Sequence, residues 1–149
     1  MRPGQDAKLA TLSVPGDFYW VRLRPTPLAG MPAPGANFPW AAAAEAGFRN
    51  VVSLQEHRPR YSSCPLAGHW LPLEDLFGKP APDNPDADAQ QVERAVSLVG
   101  QLLHAGGVIV HCTGGRGRTG TVLGGSLVRQ GISPSDATAW LDRLHRRFS

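Results

Sequence analysis

The 149-residue sequence has only two cysteines, Cys64 and Cys112, and only two lysines. Two cysteines are too few for the disulfide framework that stabilises small secreted domains. Because lysine is scarce, arginine carries the positive charge, with 13 residues, a net charge of +3 and a pI near 9.3. One guanidinium group can bind two phosphate oxygens at once, so the excess of arginine favours an anionic substrate. It is equally compatible with a charged, solvated surface.

Long hydrophobic stretches are also missing. No run of 18 apolar residues occurs, and residues 1–12 are polar and interrupted by Pro3 and Gly4, unlike the apolar core of a signal peptide. We therefore expect no membrane span and a cytoplasmic location. A hydrophobic content of 42% with 18% charged residues is typical of a folded globular chain. At this length we expect a single domain over residues 1–149.

Short apolar runs between turn-forming residues alternate with segments of helical periodicity. The predicted strands are 18–23, 28–31, 51–54, 69–73 and 108–110. The predicted helices are 40–46, 86–105, 119–130 and a last helix that starts after Ser133 and runs to the chain's end. This alternation predicts an α/β fold with a mainly parallel central sheet flanked by helices.

The chemistry-bearing segment is HCTGGRGRTG, from His111 to Gly120, which follows the apolar strand 108–110 and leads into a helix. Glycines at 114, 115 and 117 let the backbone curl so that successive N–H groups point inward. The positive N-terminal end of the next helix adds to this field. The segment therefore predicts a nest for a tetrahedral dianion.

Cys112 stands at the base of this nest, where the amides, the helix end and Arg118 should stabilise its thiolate, the nucleophilic form. Arg118 can bind two phosphate oxygens. Thr119 is placed to donate its hydroxyl to the sulfur and so help the thiolate leave. We expect His111 to orient the loop. The predicted phosphate-binding residues are Thr113, Gly114, Gly115, Arg116, Gly117 and Arg118.

Other interpretations of the segment are weaker. A buried cysteine beside a glycine turn would not require the preceding histidine or the arginine six residues on. A nucleotide-binding loop would need the pattern Gly-x4-Gly-Lys-[Ser/Thr], which is absent from the sequence. The other histidines have no companion ligands at metal spacing. We therefore expect no metal, no cofactor and no nucleic acid partner.

The motif His-Cys-x5-Arg-Thr at His111 to Thr119 resembles the signature of the protein tyrosine and dual-specificity phosphatases. Further segments resemble, in order, those of the small atypical dual-specificity phosphatases: Phe18–Val21, Leu28–Met31, Gly47–Leu54, Ser63–Pro65 and Pro80–Asp83. This resemblance implies the cysteine-phosphatase fold and two-step, metal-free hydrolysis through a phosphocysteine. In that family an aspartate on a loop upstream of the cysteine is the general acid, and Asp75 falls at the matching place.

The resemblance leaves the substrate class open. A phosphoprotein is favoured, with phosphotyrosine ahead of phosphoserine and phosphothreonine. Arg116 occupies a position that is often apolar in protein-directed members and basic in relatives that act on lipids and inositol phosphates. The enzyme alternative is therefore an inositol-phosphate, phosphoinositide or polyphosphate phosphatase. A catalytically weak phosphate-binding module is the alternative of another class, against which intact Cys112, Arg118 and Asp75 argue.

Two further expectations concern Cys64 and the end of the chain. Cys64 is either a packing residue or a resolving partner that forms a disulfide with oxidised Cys112. The resemblance implies a further segment and a final helix after the point where this sequence stops, at Ser149. We therefore expect the phosphatase domain to lack the family's last helix.

Overall fold

The computed structural model describes residues 14–76 and 78–147. The strands in these ranges are β1 (Tyr19–Arg22), β2 (Leu28–Met31), β3 (Phe48–Ser53), β4 (Ala67–Trp70) and β5 (Gly107–His111). The helices are α1 (Trp40–Glu45), α2 (Pro85–Leu103), α3 (Gly117–Arg129) and α4 (Pro134–Arg147).

The strands form one sheet in the order β1-β2-β5-β3-β4. The central strand β5 is parallel to β2 and β3, β4 is parallel to β3, and β1 runs antiparallel at the edge. Met31 and Ser53 both pair with His111, so three strands end at one edge of the sheet. In parallel sheets this carboxyl edge is where sites form. The predicted α/β fold with a mainly parallel sheet is confirmed.

Helices cover both faces of the sheet. On one face, α2, α3 and α4 share an apolar cluster with the strands through residues such as Val99, Leu123 and Leu141. On the other face, α1 packs in a second cluster that contains Phe48 and Ile109. Fully burying a side chain of this size contributes about 1.5–3 kcal/mol. The two clusters therefore hold β5 firmly between layers, as its wholly apolar centre predicts.

Helix α2 begins one residue before its predicted start. Asn84 Oδ1 accepts the Ala87 N–H at 3.1 Å, and Pro85 occupies the first turn, where its missing N–H is not needed. The helix has 19 residues and buries Val99 and Leu103 against the sheet. None of the helices in the described ranges is both long and apolar enough to cross a membrane.

Strand β4 ends at Trp70, whereas the apolar pattern predicts an end at Leu73. Pro72 has no N–H and cannot donate to the ladder, which explains the earlier end. The Leu73 N–H still donates to the Leu54 carbonyl at 3.0 Å. The chain therefore stays extended along β3 and carries the following residues to the carboxyl edge of the sheet.

Strand β3 begins at Phe48, three residues before the predicted Val51. Exposed Arg49 interrupts the apolar pattern there, and the pairing with β5 is irregular between Phe48 and Asn50. The backbone is already paired at Phe48, but the exposed arginine breaks the apolar pattern, so the pattern predicts a later start for the strand.

Candidate active site

The loop after β5 curls around the sulfur of Cys112. Gly115 has φ +79°, a left-handed conformation that glycine adopts without strain. A Cβ at this position would lie 2.4 Å from the Pro32 nitrogen and 2.5 Å from the Met31 carbonyl carbon, so only glycine fits. The turn brings the Gly115 N–H to 3.2 Å from Cys112 Sγ.

The surroundings of Cys112 suit an ionised sulfur. The residue is buried, with 2% of its surface exposed, and a buried anion requires hydrogen bonds or nearby positive charge. The Gly115 N–H supplies a hydrogen bond, and α3 begins at Gly117 directly after the loop. The positive end of that helix therefore lies next to the loop that holds the sulfur.

Arg118 connects three segments of the chain at the site. Its Nη1 donates to the carbonyl oxygens of Leu73 at 3.2 Å and Leu54 at 3.4 Å. Its Nη2 donates to Asp75 Oδ2 and to Thr113 Oγ1, each at 3.1 Å. Four acceptors therefore fix the position and plane of the guanidinium beside the phosphate loop.

Asp75 lies on a loop that its neighbours hold in place. The Asp75 N–H donates to Glu56 Oε1 at 2.6 Å. The adjacent Glu74 carboxylate accepts the Asp83 N–H at 3.2 Å and pairs with Lys79 at 3.3 Å. Of the two neighbouring carboxylates, Asp75 therefore pairs with Arg118, while Glu74 closes its own loop.

A cavity of about 410 Å³ lies over the sulfur of Cys112. Arg118, Asp75 and Asp88, from the first turn of α2, give it polar lining groups. Apolar side chains form another part of the wall: Leu73, Leu76, Pro82 and Val92. A few converging polar groups beside an apolar wall suit a phosphate carried on an organic group.

His111 is fully buried behind the loop, and its Nε2 lies 2.6 Å from the Tyr61 hydroxyl. The Trp40 ring stacks on Tyr61, with ring centroids 5.3 Å apart. Burial lowers the pKa of His111 to about 4 and raises the pKa of Tyr61 to about 12. Both groups are therefore neutral at pH 7, and an enclosed, neutral imidazole is suited to orienting the loop.

Most of the predicted site residues meet at the Cys112 cavity. Its lining includes Cys112, Thr113, Gly114, Gly117, Arg118 and Asp75. Gly115 is a buried residue of the loop itself and does not line this cavity. Arg116 is exposed and lines an adjoining depression of about 290 Å³ together with Tyr19 and His145.

Thr119 is placed differently from the expectation. Its Oγ1 is buried and has no hydrogen-bond partner among the described residues. The expected donation to the Cys112 sulfur is therefore not made here, and the sulfur accepts the Gly115 N–H. A role for Thr119 when the thiolate leaves stays a prediction.

Sequence reasoning missed several residues that support the site. Gln55 Nε2 donates to Thr113 Oγ1 at 3.3 Å, and Glu56 holds the backbone of the acid loop. Both lie within three residues of the end of β3, at the carboxyl edge of the sheet, and this position could have identified them. Tyr19, whose hydroxyl donates to the Gly115 carbonyl from 96 residues away, carries no such signal.

A buried cysteine at the end of a central parallel strand, followed by a glycine-rich loop and an arginine six residues on, defines the class of cysteine-dependent phosphatases. Residues 16–147 match the family model described as the Swiss Army Knife protein, DSP-PTPase phosphatase domain. The chain belongs to this family and is a cysteine-dependent phosphatase of the protein tyrosine and dual-specificity type. The predicted resemblance is confirmed.

Solved structures share the fold at low sequence identity. Human DUSP28 is 22% identical with a TM-score of 0.71, over 91% of this chain and 86% of that chain. Tk-PTP in its active form is 20% identical with a TM-score of 0.59, over 86% of this chain and 84% of that chain. PTPMT1 in complex with PI(5)P is 18% identical with a TM-score of 0.65, over 89% of this chain and 86% of that chain.

Proposed function

We propose that the protein hydrolyses phosphate monoesters in two steps, with Cys112 as the nucleophile. The observation that carries this proposal is the arrangement of Cys112, Arg118 and Asp75 around one cavity, with the sulfur facing the Gly115 N–H. In the first step the thiolate attacks phosphorus. The S–P bond forms as the P–O bond to the leaving group breaks, which gives a phosphocysteine.

Arg118 and Asp75 act on opposite ends of this step. The guanidinium donates to the non-bridging oxygens and balances the charge of a loose transition state. Its Nη2 now bonds Asp75 Oδ2, and incoming phosphate oxygens compete for that donor. The Asp75 carboxyl, protonated from solvent, then gives its proton to the departing oxygen.

The second step releases phosphate. A water molecule attacks the phosphocysteine while the Asp75 carboxylate takes its proton, and the P–S bond breaks to restore the Cys112 thiolate. In this proposal Thr119 donates its hydroxyl to the sulfur as negative charge returns to it, which requires the side chain to turn toward Sγ, because its buried Oγ1 makes no hydrogen bond among the described residues. Gly115 and the end of α3 stabilise the same charge.

The favoured substrate is a phosphoprotein, with phosphotyrosine ahead of phosphoserine and phosphothreonine. The apolar wall from Leu73, Leu76, Pro82 and Val92 supports this order, since it offers contact to an aromatic ring that a serine or threonine side chain lacks.

The exposed position of Arg116 supports a second candidate, a phosphatase for inositol phosphates, phosphoinositides or polyphosphate. Its guanidinium lies outside the Cys112 cavity, beside Tyr19 and His145, where a second phosphate of a polyanion would find positive charge. PTPMT1, solved in complex with PI(5)P, shares this fold.

A cytoplasmic location is part of the proposal. Cys64 and Cys112 are both unpaired, and a nucleophilic thiolate must stay reduced to work. The reducing cytoplasm maintains thiols in this state.

The central test is the release of a phenol from a generic aryl phosphate, with acid-quenched enzyme examined for a phosphocysteine at residue 112. Cys112→Ser should lose activity by at least ~10³-fold, because its hydroxyl does not ionise at neutral pH. The matched control, Cys64→Ser, should keep the wild-type rate. Substantial turnover in Cys112→Ser, or loss of the wild-type rate on adding a chelator, would show that the cysteine mechanism is wrong.

A further inference from the structure

A chain of hydrogen bonds runs from the last helix to the sulfur of Cys112. His145 Nε2, on α4, lies 3.2 Å from the Tyr19 hydroxyl. The Tyr19 hydroxyl donates to the carbonyl oxygen of Gly115 at 2.5 Å. The N–H of the same Gly115 then donates to Cys112 Sγ at 3.2 Å. Gly115 therefore accepts a hydrogen bond from Tyr19, outside the loop, and donates one to the sulfur of Cys112.

Tyr19 is fixed independently of the loop. It is 2% exposed on strand β1, opposite Gly30 of β2. A Cβ at Gly30 would lie 2.5 Å from Tyr19 Cζ, so the ring occupies the space that glycine leaves free. On its other side the ring meets His145 edge-on, with centroids 5.0 Å apart. The hydroxyl therefore has little freedom to leave the Gly115 carbonyl.

The direction of each hydrogen bond follows from chemistry. A carbonyl oxygen only accepts, so the single hydroxyl proton of Tyr19 goes to Gly115 and the hydroxyl oxygen accepts from the N–H at His145 Nε2. Burial, with a smaller contribution from Cys112, raises the pKa of Tyr19, so this proton stays in place across the working pH range. Burial, with Arg116 nearby, lowers the pKa of His145 and keeps that ring neutral.

Holding the Gly115 carbonyl also sets the next amide. The peptide that joins Gly115 to Arg116 is planar, so its C=O and N–H point in opposite directions. With the carbonyl drawn toward Tyr19, the Arg116 N–H points away from Tyr19. The hydroxyl thus fixes the peptide group that follows Gly115. The peptide group before it, which carries the N–H directed at the sulfur, is joined to this one through Gly115, whose backbone packs against Met31 and Pro32.

We propose that Tyr19 is a positioning residue for the nucleophile: its hydroxyl holds the Gly115 carbonyl so that the Gly115 N–H points at Cys112 Sγ, with His145 supporting the hydroxyl from α4. This inference rests on the proposed role of Cys112. It adds Tyr19 and His145, which lie outside the Cys-x5-Arg loop, to the residues that position the hydrogen-bond donor of the Cys112 sulfur. They act through Gly115 and do not touch the phosphate.

The test compares Tyr19→Phe with Trp140→Phe. Trp140 Nε1 donates to the Val21 carbonyl at 2.9 Å, so it also links α4 to β1, but it has no bond to the phosphate loop. Each variant loses one link between the same two elements and keeps an aromatic ring. Three quantities are measured on the full chain: the thermal midpoint, kcat/KM on an aryl phosphate, and the pH profile of Cys112 alkylation by iodoacetamide.

In Tyr19→Phe we expect kcat/KM to fall about tenfold, the effect of losing one well-directed hydrogen bond to a charged atom. The alkylation profile should move to higher pH by up to about one unit, since the thiolate loses a donor. Trp140→Phe should keep both values while its thermal midpoint falls by an amount similar to that in Tyr19→Phe. The titratable or charged groups that face the Tyr19 hydroxyl are Cys112, Arg116 and His145.

An alkylation profile in folded Tyr19→Phe that matches the wild type would overturn the proposal, as would an equal shift in Trp140→Phe. If Tyr19→Phe does not fold, His145→Leu is measured in its place, since it removes only the N–H that donates to the Tyr19 hydroxyl. We expect its alkylation profile to move to higher pH by less than that of Tyr19→Phe. An unchanged alkylation profile in His145→Leu would also overturn the proposal. A folded wild type whose Cys112 is not alkylated would instead refute the proposed function, and the inference with it.

Discussion

Asp75 Oδ2 and Arg118 Nη2 lie 3.1 Å apart and form an ion pair at the Cys112 cavity. The two side chains are only 28% and 11% exposed, so solvent screens the pair less than one on the surface. The aspartate proposed to protonate the leaving group is thus bound to the arginine proposed to bind phosphate. In this proposal, binding of phosphate to Arg118 also frees the Asp75 carboxylate from its ion pair, because both use the same guanidinium.

Replacing Asp75 should affect substrates according to their leaving groups. A phenol or alcohol needs a proton to depart, so Asp75→Asn should lower the rate on a phosphotyrosine peptide by about 10²–10⁴-fold. On an aryl phosphate with a strongly acidic phenol the loss should be much smaller. The alkaline limb of the wild-type rate profile should also flatten in the variant, as measured by steady-state kinetics across pH.

The matched control is Asp88→Asn, which removes another carboxylate that lines the same cavity. It should leave the dependence on leaving group unchanged. If Asp88→Asn, or the exposed Asp83→Asn, showed that dependence and Asp75→Asn did not, the general acid would be one of those residues.

Replacing Arg116 separates the two candidate substrate classes. Its exposed guanidinium lies outside the Cys112 cavity, so Arg116→Ala should leave hydrolysis of phosphotyrosine peptides within about twofold of wild type. For a phosphoinositide or polyphosphate substrate we expect a larger loss that weakens as salt is added. The measurement is kcat/KM on both classes at two ionic strengths. Equal losses on both classes would remove the evidence for a polyanionic substrate.

The turn at Gly115 should not tolerate a side chain. Gly115→Ala places a methyl group against the backbone of Met31 and Pro32 at a left-handed φ, and should lower the free energy of unfolding by more than about 2 kcal/mol. Gly114→Ala is the control, since its Cβ would meet no atom within 4 Å. Its free energy of unfolding should stay within about 0.5 kcal/mol of wild type. Denaturant titration measures both, and similar losses would show that the backbone at Gly115 does not press against Met31 and Pro32.

Burial of His111 makes stability depend on pH. Its pKa is about 4 in the folded protein and 6.5 when exposed, so the unfolded state binds more protons between these values. The free energy of unfolding should therefore be highest above pH 6.5 and fall by up to about 3 kcal/mol as pH drops to 4.

His111→Asn supplies the comparison for this effect, because it removes the titrating ring but keeps a polar group near Tyr61. His69 and His145, whose pKa values are also lowered by burial, are present in both proteins and cancel. The difference in unfolding free energy between wild type and variant should shrink between pH 6.5 and 4. A constant difference would show that His111 is not buried in its neutral form.

The parts of the molecule that depend on local sequence were predictable. Periodicity located the strands and helices to within a few residues, and the glycines around Cys112 predicted the anion loop. Two strand boundaries differ from the predicted ones. Pro72 ends the backbone pairing of β4 inside an apolar run, and Arg49 interrupts the apolar pattern of β3 where the backbone is already paired. Asp75 was proposed as the general acid mainly through the family resemblance, since a lone aspartate on a loop has no distinctive spacing.

The contacts that bring distant segments together could not be predicted. Whether Glu56 meets the Asp75 backbone depends on the register of β3 and β4, and on where the chain turns after each. The bond from Tyr19 to Gly115 requires the antiparallel pairing of β1 with β2 and the docking of α4. Such contacts follow from the three-dimensional packing and leave no repeat or spacing in the sequence.

The hydrogen bonds that reach Cys112 also bear on how the chain matures. Tyr19 and Gly115 are 96 positions apart, and His145 and Tyr19 are 126 apart, so the sulfur acquires its environment only after the first strand and the last helix have both docked. Contacts between residues so far apart in the sequence are slow to form, because a long loop must close first. Under the proposed role of Tyr19, a chain in which β1 or α4 has not yet docked lacks the contacts that direct the Gly115 N–H at Cys112.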